Sequence, residues 1–144
     1  MTEPALEGVR EVPPEYGPPF HHALGIRMGL GADGAGVAWI DVDPSKHYGA
    51  RWAHGGIVPA LADISSGIVI SATLAHGRGK KPEEVIDGTI EIKANFLLKV
   101  REGSMVATAR LAHAGRRIAV TDVDVTNEGR LVAKALCTFM LHTE

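Results

Sequence analysis

The chain has 144 residues, with 15 Lys and Arg against 17 Asp and Glu and a formal net charge of −2. That is the length of one domain, and the balance of charge argues against nucleic acid as the main partner. A hydrophobic share of 45% with 22% charged residues excludes a disordered chain, and the lone cysteine, Cys137, excludes an internal disulfide and a cysteine-rich zinc site.

Residues 1–22 carry Pro4, Pro13, Pro14, Pro18 and Pro19. They read as an extended or partly helical lead-in, ahead of a single domain over 23–144. From Ala23, Leu24, Ile26, Met28 and Leu30 alternate with Gly25, Arg27 and Gly29, the period of a strand. Ala32-Asp33-Gly34 turns the chain into a second strand, Val37 to Val42, which Asp43-Pro44 ends. Gly55 to Ala75 has helical spacing, and its apolar side chains fill nearly every face, which predicts a buried helix. Gly77, Gly79 and Pro82 stop it.

Four more strands follow. Ile90, Ile92, Ala94, Phe96 and Leu98 alternate against Thr89, Glu91, Lys93 and Asn95; further alternations centre on Met105–Leu111, Val123–Val125 and Ala133–Phe139. Their links, Arg101-Glu102-Gly103, Ala114-Gly115 and Asn127-Glu128-Gly129, are short and contain glycine, as hairpins require. A single helix coated in apolar side chains needs a sheet curled around it. The expectation is an α+β fold with one long central helix wrapped by a curved antiparallel sheet of five to six strands.

No apolar run approaches the roughly 20 residues of a membrane helix, and Met1 to Glu15 lacks the pattern of a secretory signal. A soluble, cytoplasmic setting without a membrane partner is expected. Gly29-Leu30-Gly31-Ala32-Asp33-Gly34 matches G-x-G-x-x-G, but strand residues follow it where a dinucleotide site needs a helix, so it reads as a hairpin. No phosphate-loop motif occurs. Of the seven histidines none forms H-E-x-x-H, and His21 and His22 sit side by side in the lead-in. No metal site is expected.

The informative stretch is His54-Gly55-Gly56-Ile57-Val58-Pro59-Ala60-Leu61-Ala62-Asp63. Two glycines open the helix, so its bare amides are a ready site for an oxyanion or a polarised carbonyl. Asp63 is the only acid in that helix, and Asp there is a poor choice on propensity. Either it belongs to a site or it reaches solvent through a gap in the sheet. On one helix Gly55 and Asp63 stand about 12 Å apart, too far for a carbonyl donor and a nucleophile acting on one group. A catalytic reading therefore predicts a homodimer in which each helix start faces the other chain's Asp63.

H-G-G, six residues and then an acid resembles the signature of hot-dog-fold acyl-CoA thioesterases, of the phenylacetate-degradation (PaaI-like) and Arthrobacter-type 4-hydroxybenzoyl-CoA kinds. The resemblance covers about residues 20–142 and includes Gly115-Arg116-Arg117, Val123-Asp124-Val125 and Asn127-Glu128-Gly129. It implies hydrolysis of a short- or medium-chain or aryl acyl-CoA to free acid and CoA. CoA is then part of the substrate, and no cofactor is needed. By the same resemblance Asp63 is nucleophile or general base, the Gly55 amide polarises the thioester carbonyl beside Gly56, and His54 supports the loop and the thiol end. Thr89 matches a family Ser or Thr that orients water, and Ser65 and Ser66 are further hydroxyl candidates. The family usually has Asn or Gln six residues before the histidine, where this chain has Tyr48, a possible donor to the water or carbonyl. Arg101, Arg116 and Arg117 are the expected phosphate ligands. Leu61, Ile64, Ile68 and Phe96 are expected to line the acyl pocket, with Trp52 as a lid. A homotetramer built from such dimers is a family expectation.

Two rivals share the fold. One is a non-catalytic acyl-CoA-binding protein. The other is an enoyl-CoA hydratase, because Asp41 and His47 resemble that family's Asp…His dyad at a spacing one residue longer.

Overall fold

A computed structural model describes residues 3–143. The lead-in contains short 3-10 turns at Pro4–Leu6 and Pro14–Tyr16, a two-residue strand β1 (Arg10–Glu11) and a short helix α1 (Pro19–Leu24). Strands β2 (Arg27–Leu30) and β3 (Gly36–Asp41) follow, then a single helical turn α2 (Pro44–His47) and the long helix α3 (Ile57–Leu74). Strands β4 (Ile86–Phe96), β5 (Ser104–Ala114), β6 (Ile118–Asn127) and β7 (Arg130–Leu141) complete the chain.

The described strands form one antiparallel sheet in the order β1-β2-β3-β5-β6-β7-β4. Seven strands exceed the expected five to six because the lead-in contributes β1, which pairs Arg10 with Leu30 and Glu11 with Gly29. The Glu11 carboxylate accepts two bonds from the Arg27 guanidinium, at 2.6 and 3.0 Å. Further up, buried Glu3 accepts from the amides of Glu128 (2.5 Å) and Gly129 (3.0 Å) in the β6–β7 turn. These contacts hold the lead-in over Val37, Trp39 and Val106 on the outer face of the sheet, where Ala5, Leu6 and Val9 cover them.

The strand expected from Ala23 begins only at Arg27. Pro19 starts a helix, where its fixed φ suits the first turn, and Gly25 ends it in the left-handed conformation (φ 65°), which costs glycine little. Leu24 is therefore helical. The turn α2 is a second departure from the expected elements. Its sequence signal is Asp43-Pro44: the Asp43 carboxylate accepts from the Ser45 amide at 2.9 Å, and Pro44 occupies the first helical position.

Helix α3 lies on the concave face of the sheet. Ile57, Val58, Leu61, Ala62, Ser65, Ser66, Val69 and Ile70 are buried against it. At Gly36 a Cβ would run into the Ser65 carbonyl, so only glycine lets the helix settle there. Small side chains on β6 and β7 (Ala119, Ala133 and Ala135 among them) deepen the trough. The expectation of a helix buried all round is corrected. The sheet covers one face, and Asp63, Ile64, Gly67 and Ile68 remain half-buried on the other.

Strand β4 is an outer edge of the sheet, paired only with β7 among the described residues. Its register slips at Asp87 and again at Ile90. The second slip decides the site. Strict alternation puts Thr89 on the same side as Glu91 and Lys93. With Ile90 as the extra residue, Thr89 stands opposite Phe139, on the face shared with Ile92 opposite Cys137. Phe139 and Cys137 are buried, so Thr89 is turned towards α3.

Candidate active site

On the half-buried face of α3, the Thr89 hydroxyl donates to Asp63 Oδ1 at 2.6 Å. That bond holds the carboxylate in one orientation and leaves Oδ2 without a partner among the described residues. Helix α1 lies near enough for the Asp63 charge to act on His21, although burial dominates and holds the His21 pKa below its ordinary value. His21 Nδ1 is buried without a hydrogen-bond partner among the described residues.

The start of α3 is built around His54. Its Nδ1 accepts from the Gly56 amide at 2.9 Å, so the imidazole carries its proton on Nε2. The His54 carbonyl accepts from the Ile57 amide at 3.0 Å. The Gly56 amide is thus committed to holding the turn, and among the described residues the Gly55 amide has no acceptor. A Cβ on Gly55 would meet only the Phe96 ring, at 3.7 Å. Beside it opens a cavity of about 330 Å³, walled by Trp52, Val58, Phe96, Val100, Met105 and Val132. Asp63 and Thr89 do not line it.

Several expected residues sit elsewhere. Leu61 is fully buried in the core and does not line the cavity; Val58, about one turn earlier, does. Ser66 is also fully buried, with its Oγ 2.6 Å from Thr121 Oγ1, and the Ser65 hydroxyl donates to the Ala62 carbonyl at 3.1 Å. Both hydroxyls satisfy the interior and neither meets solvent. The Tyr48 hydroxyl donates to the Arg101 carbonyl at 2.7 Å, so its proton is already engaged.

The three arginines are not together. Arg116 and Arg117 lie in the β5–β6 hairpin, beyond the C-terminal end of α3, where Arg78 donates to the carbonyls of Arg116 (3.0 Å) and Gly115 (2.5 Å). Arg101 lies at the other end of β5, about 36 Å of strand away. There it shares a polar recess of about 230 Å³ with Lys99, Asn127 and Arg130, and Leu98, Lys99 and Val132 border both the recess and the cavity. Nothing in the sequence singles out Lys99 or Arg130. Their signal is only that each flanks a strand end, and no spacing in the chain puts residue 130 beside residue 101.

The pair considered for a hydratase does not assemble. His47 is buried, its Nδ1 accepting from the Asp43 amide at 2.9 Å and its Nε2 lying 2.6 Å from the Leu24 carbonyl. Asp41 accepts from the Ser104 hydroxyl at 2.7 Å. Both act as structural ties between segments.

A long helix held in the concavity of one antiparallel sheet, with an acid on its open face and a bare amide at its start, is the hot-dog arrangement. The sequence profile of the thioesterase superfamily matches residues 52–134, more than half of the chain, and the protein belongs to that superfamily. It is 28% identical over 137 residues (88% of this chain, 87% of the relative) to the medium/long-chain acyl-CoA thioesterase YigI of Salmonella typhimurium. It is likewise 28% identical over 120 residues (83% and 92%) to a 1,4-dihydroxy-2-naphthoyl-CoA hydrolase of Listeria monocytogenes. Among solved structures, a hypothetical thioesterase protein with coenzyme A from Streptococcus pneumoniae superposes with a TM-score of 0.64 at 30% identity, covering 81% of this chain and 87% of that one.

Proposed function

We propose that the protein hydrolyses acyl-CoA thioesters to free acid and CoA, with water as the only co-reactant and no metal or cofactor. The observation that carries this reading is the pair of groups on α3. Asp63 accepts from Thr89 at 2.6 Å, and among the described residues the Gly55 amide at the helix start has no acceptor. Relatives named as acyl-CoA hydrolases support the substrate class.

In this mechanism Asp63 Oδ2 takes a proton from water as the oxygen attacks the thioester carbon. The carbonyl oxygen becomes an oxyanion and accepts from the Gly55 amide, strengthened by the positive end of α3. Collapse breaks the C–S bond, and the thiolate of CoA recovers the proton from Asp63. Direct attack by Asp63 through a mixed anhydride gives the same products. Single-turnover hydrolysis in heavy-oxygen water separates the two routes: direct attack by water labels the product acid, whereas an anhydride opened at the Asp63 carboxyl carbon labels Asp63 and releases unlabelled acid.

The two halves of the site are best supplied by two chains. On one α3 they lie about 12 Å apart, and in this chain Asp63 is outside the cavity that Gly55 borders. Strand β4 supports a homodimer. It is an exposed edge, and Ile90, Phe96, Leu97 and Leu98 on or just after it are 46–59% exposed. Two such dimers form the tetramer expected of the family. Lys99, Arg101 and Arg130 form the basic edge we assign to the CoA phosphates.

The decisive experiment is thiol release over a panel of acyl-CoA esters, with Asp63→Asn as control. Release that disappears in the variant supports the reading. Equal release in the two proteins removes Asp63 from the mechanism, and tight binding with no release by the wild type selects the non-catalytic rival. For the shared site, mixing Asp63→Ala with Gly55→Pro chains should restore part of the activity, and mixed dimers that stay dead would sink it.

A further inference from the structure

Residues 48–54, which carry His54 to its place, form a tight turn. Tyr48 and Ala53 make an antiparallel bridge, and the Gly49 amide donates to the Trp52 carbonyl at 2.8 Å. The turn is tied to the segment entering β5 at two points. The Ala53 amide donates to the Val100 carbonyl at 2.8 Å, and the Tyr48 hydroxyl to the Arg101 carbonyl at 2.7 Å. Trp52, near its tip, is held as well: Lys99 Nζ lies 4.1 Å from the centre of the indole and the Arg101 guanidinium carbon 5.8 Å. Cations at this range are attracted to the negative face of the ring. The indole also walls the cavity beside Gly55.

A thioester whose carbonyl meets the Gly55 amide has two arms. The pantetheine arm carries amides that lose hydrogen bonds wherever the surroundings cannot replace them. The cavity side chains Val58, Phe96, Val100, Met105 and Val132 replace none, and His54, Lys99 and the Trp52 indole N–H are the polar side-chain groups in its lining. The acyl arm is the one this cavity suits. Its volume, about 330 Å³, lies near the lower end of ligand pockets, which run from roughly 300 to 1,000 Å³.

We infer that Trp52, clamped by Lys99 and Arg101, is a specificity-determining residue that limits the acyl cavity to short and medium groups. This rests on the thioesterase reading above and adds the residue that imposes the chain-length limit the resemblance implies.

The test compares kcat/KM for butanoyl-, octanoyl-, dodecanoyl- and hexadecanoyl-CoA in wild type, Trp52→Ala and Trp52→Phe. Wild type should favour the two shorter esters. Trp52→Ala should raise the dodecanoyl-to-octanoyl ratio about tenfold or more, the scale on which pocket methylenes are discriminated. Trp52→Phe, which keeps a ring, should move it much less. An unchanged ratio in folded Trp52→Ala overturns the inference, and so does a wild type that already prefers hexadecanoyl-CoA. Hydrolysis with an unchanged profile leaves the thioesterase reading standing. A wild type that hydrolyses no ester defeats that reading instead.

A binding measurement covers the case in which Trp52→Ala does not fold. Trp39 and Trp52 are the only two tryptophans, so Trp39→Phe leaves Trp52 as the sole indole reporter. Its emission should shift on titration with the non-hydrolysable thioether S-octyl-CoA and stay constant with free CoA. An equal response to both means that the cavity takes the CoA arm, and no response to either means that it takes neither; both results overturn the inference.

Discussion

The two faces of α3 treat polar groups in opposite ways. On the sheet side Ser65 and Ser66 are fully buried, and each is satisfied within the protein, by the Ala62 carbonyl and by Thr121. On the open side Asp63 accepts from Thr89, and its other oxygen has no partner among the described residues. Residues two or three positions apart on one helix thus do different work, because the sheet closes one face and stops short of the other. A hydroxyl in a closed interior must spend its bonds on structure. A carboxylate at an opening can hold one bond for orientation and keep the rest of its capacity for substrate.

The sharpest break of that contrast is to remove the chemistry on one side and the packing on the other. Asp63→Asn should lower turnover by about 10²–10⁴-fold, the usual scale of a general base, with an unchanged melting temperature. Leu61→Ala should do the reverse: about 2–5 kcal/mol of stability lost in a denaturant titration, with kcat per folded molecule retained. If Asp63→Asn instead loses stability and not rate, the open face is structural too.

Next in size are the two hydroxyl partners. Thr89→Val should cost about tenfold in kcat, on the order of 1.5 kcal/mol for a hydrogen bond to a charged acceptor, and leave the fold intact. Ser66→Ala should leave kcat alone and destabilise by about 1–3 kcal/mol, because Thr121 loses its partner in a closed core. Replacing both, as Ser66→Ala with Thr121→Val, should recover part of that loss. A large kcat effect in Ser66→Ala would move it back to the site.

A smaller effect is expected with pH. Burial, with the neighbouring His22 charge, holds His21 below its ordinary value of 6.5 in the folded chain. Between that depressed value and 6.5 the unfolded chain binds more protons than the folded one, so stability rises with pH across this window. The contribution of neutral His21 is complete above about 6.5 and is lost as pH falls through the folded value. Unfolding free energies measured down that range should fall more steeply in wild type than in His21→Gln, and identical slopes would rule the histidine out. The least effect is at Cys137, whose thiol is pushed up by burial. It should resist iodoacetamide at neutral pH until the protein unfolds.

Much of this was legible in the chain. Hydrophobic period and glycine-marked turns located α3 and every long strand within a few residues, because those signals are local. The order His54-Gly55-Gly56 to Asp63 marked both candidate groups, since a bare helix start and an isolated acid are sequence features. Three things were not local. The bulge at Ile90 turns Thr89 inward against its own alternation, and it exists only in the pairing of β4 with β7. The difference between Thr89, which bonds Asp63, and the buried Ser65 and Ser66 depended on how far the sheet reaches around α3. The separation of Arg101 from Arg116 and Arg117, and its union with Lys99 and Arg130, followed from which strand ends meet. Sequence alone determined which residue types stand at which spacing, because propensity and periodicity act over a few residues. Only the tertiary structure decided which of them face water, because solvent access is set by elements far apart in the chain.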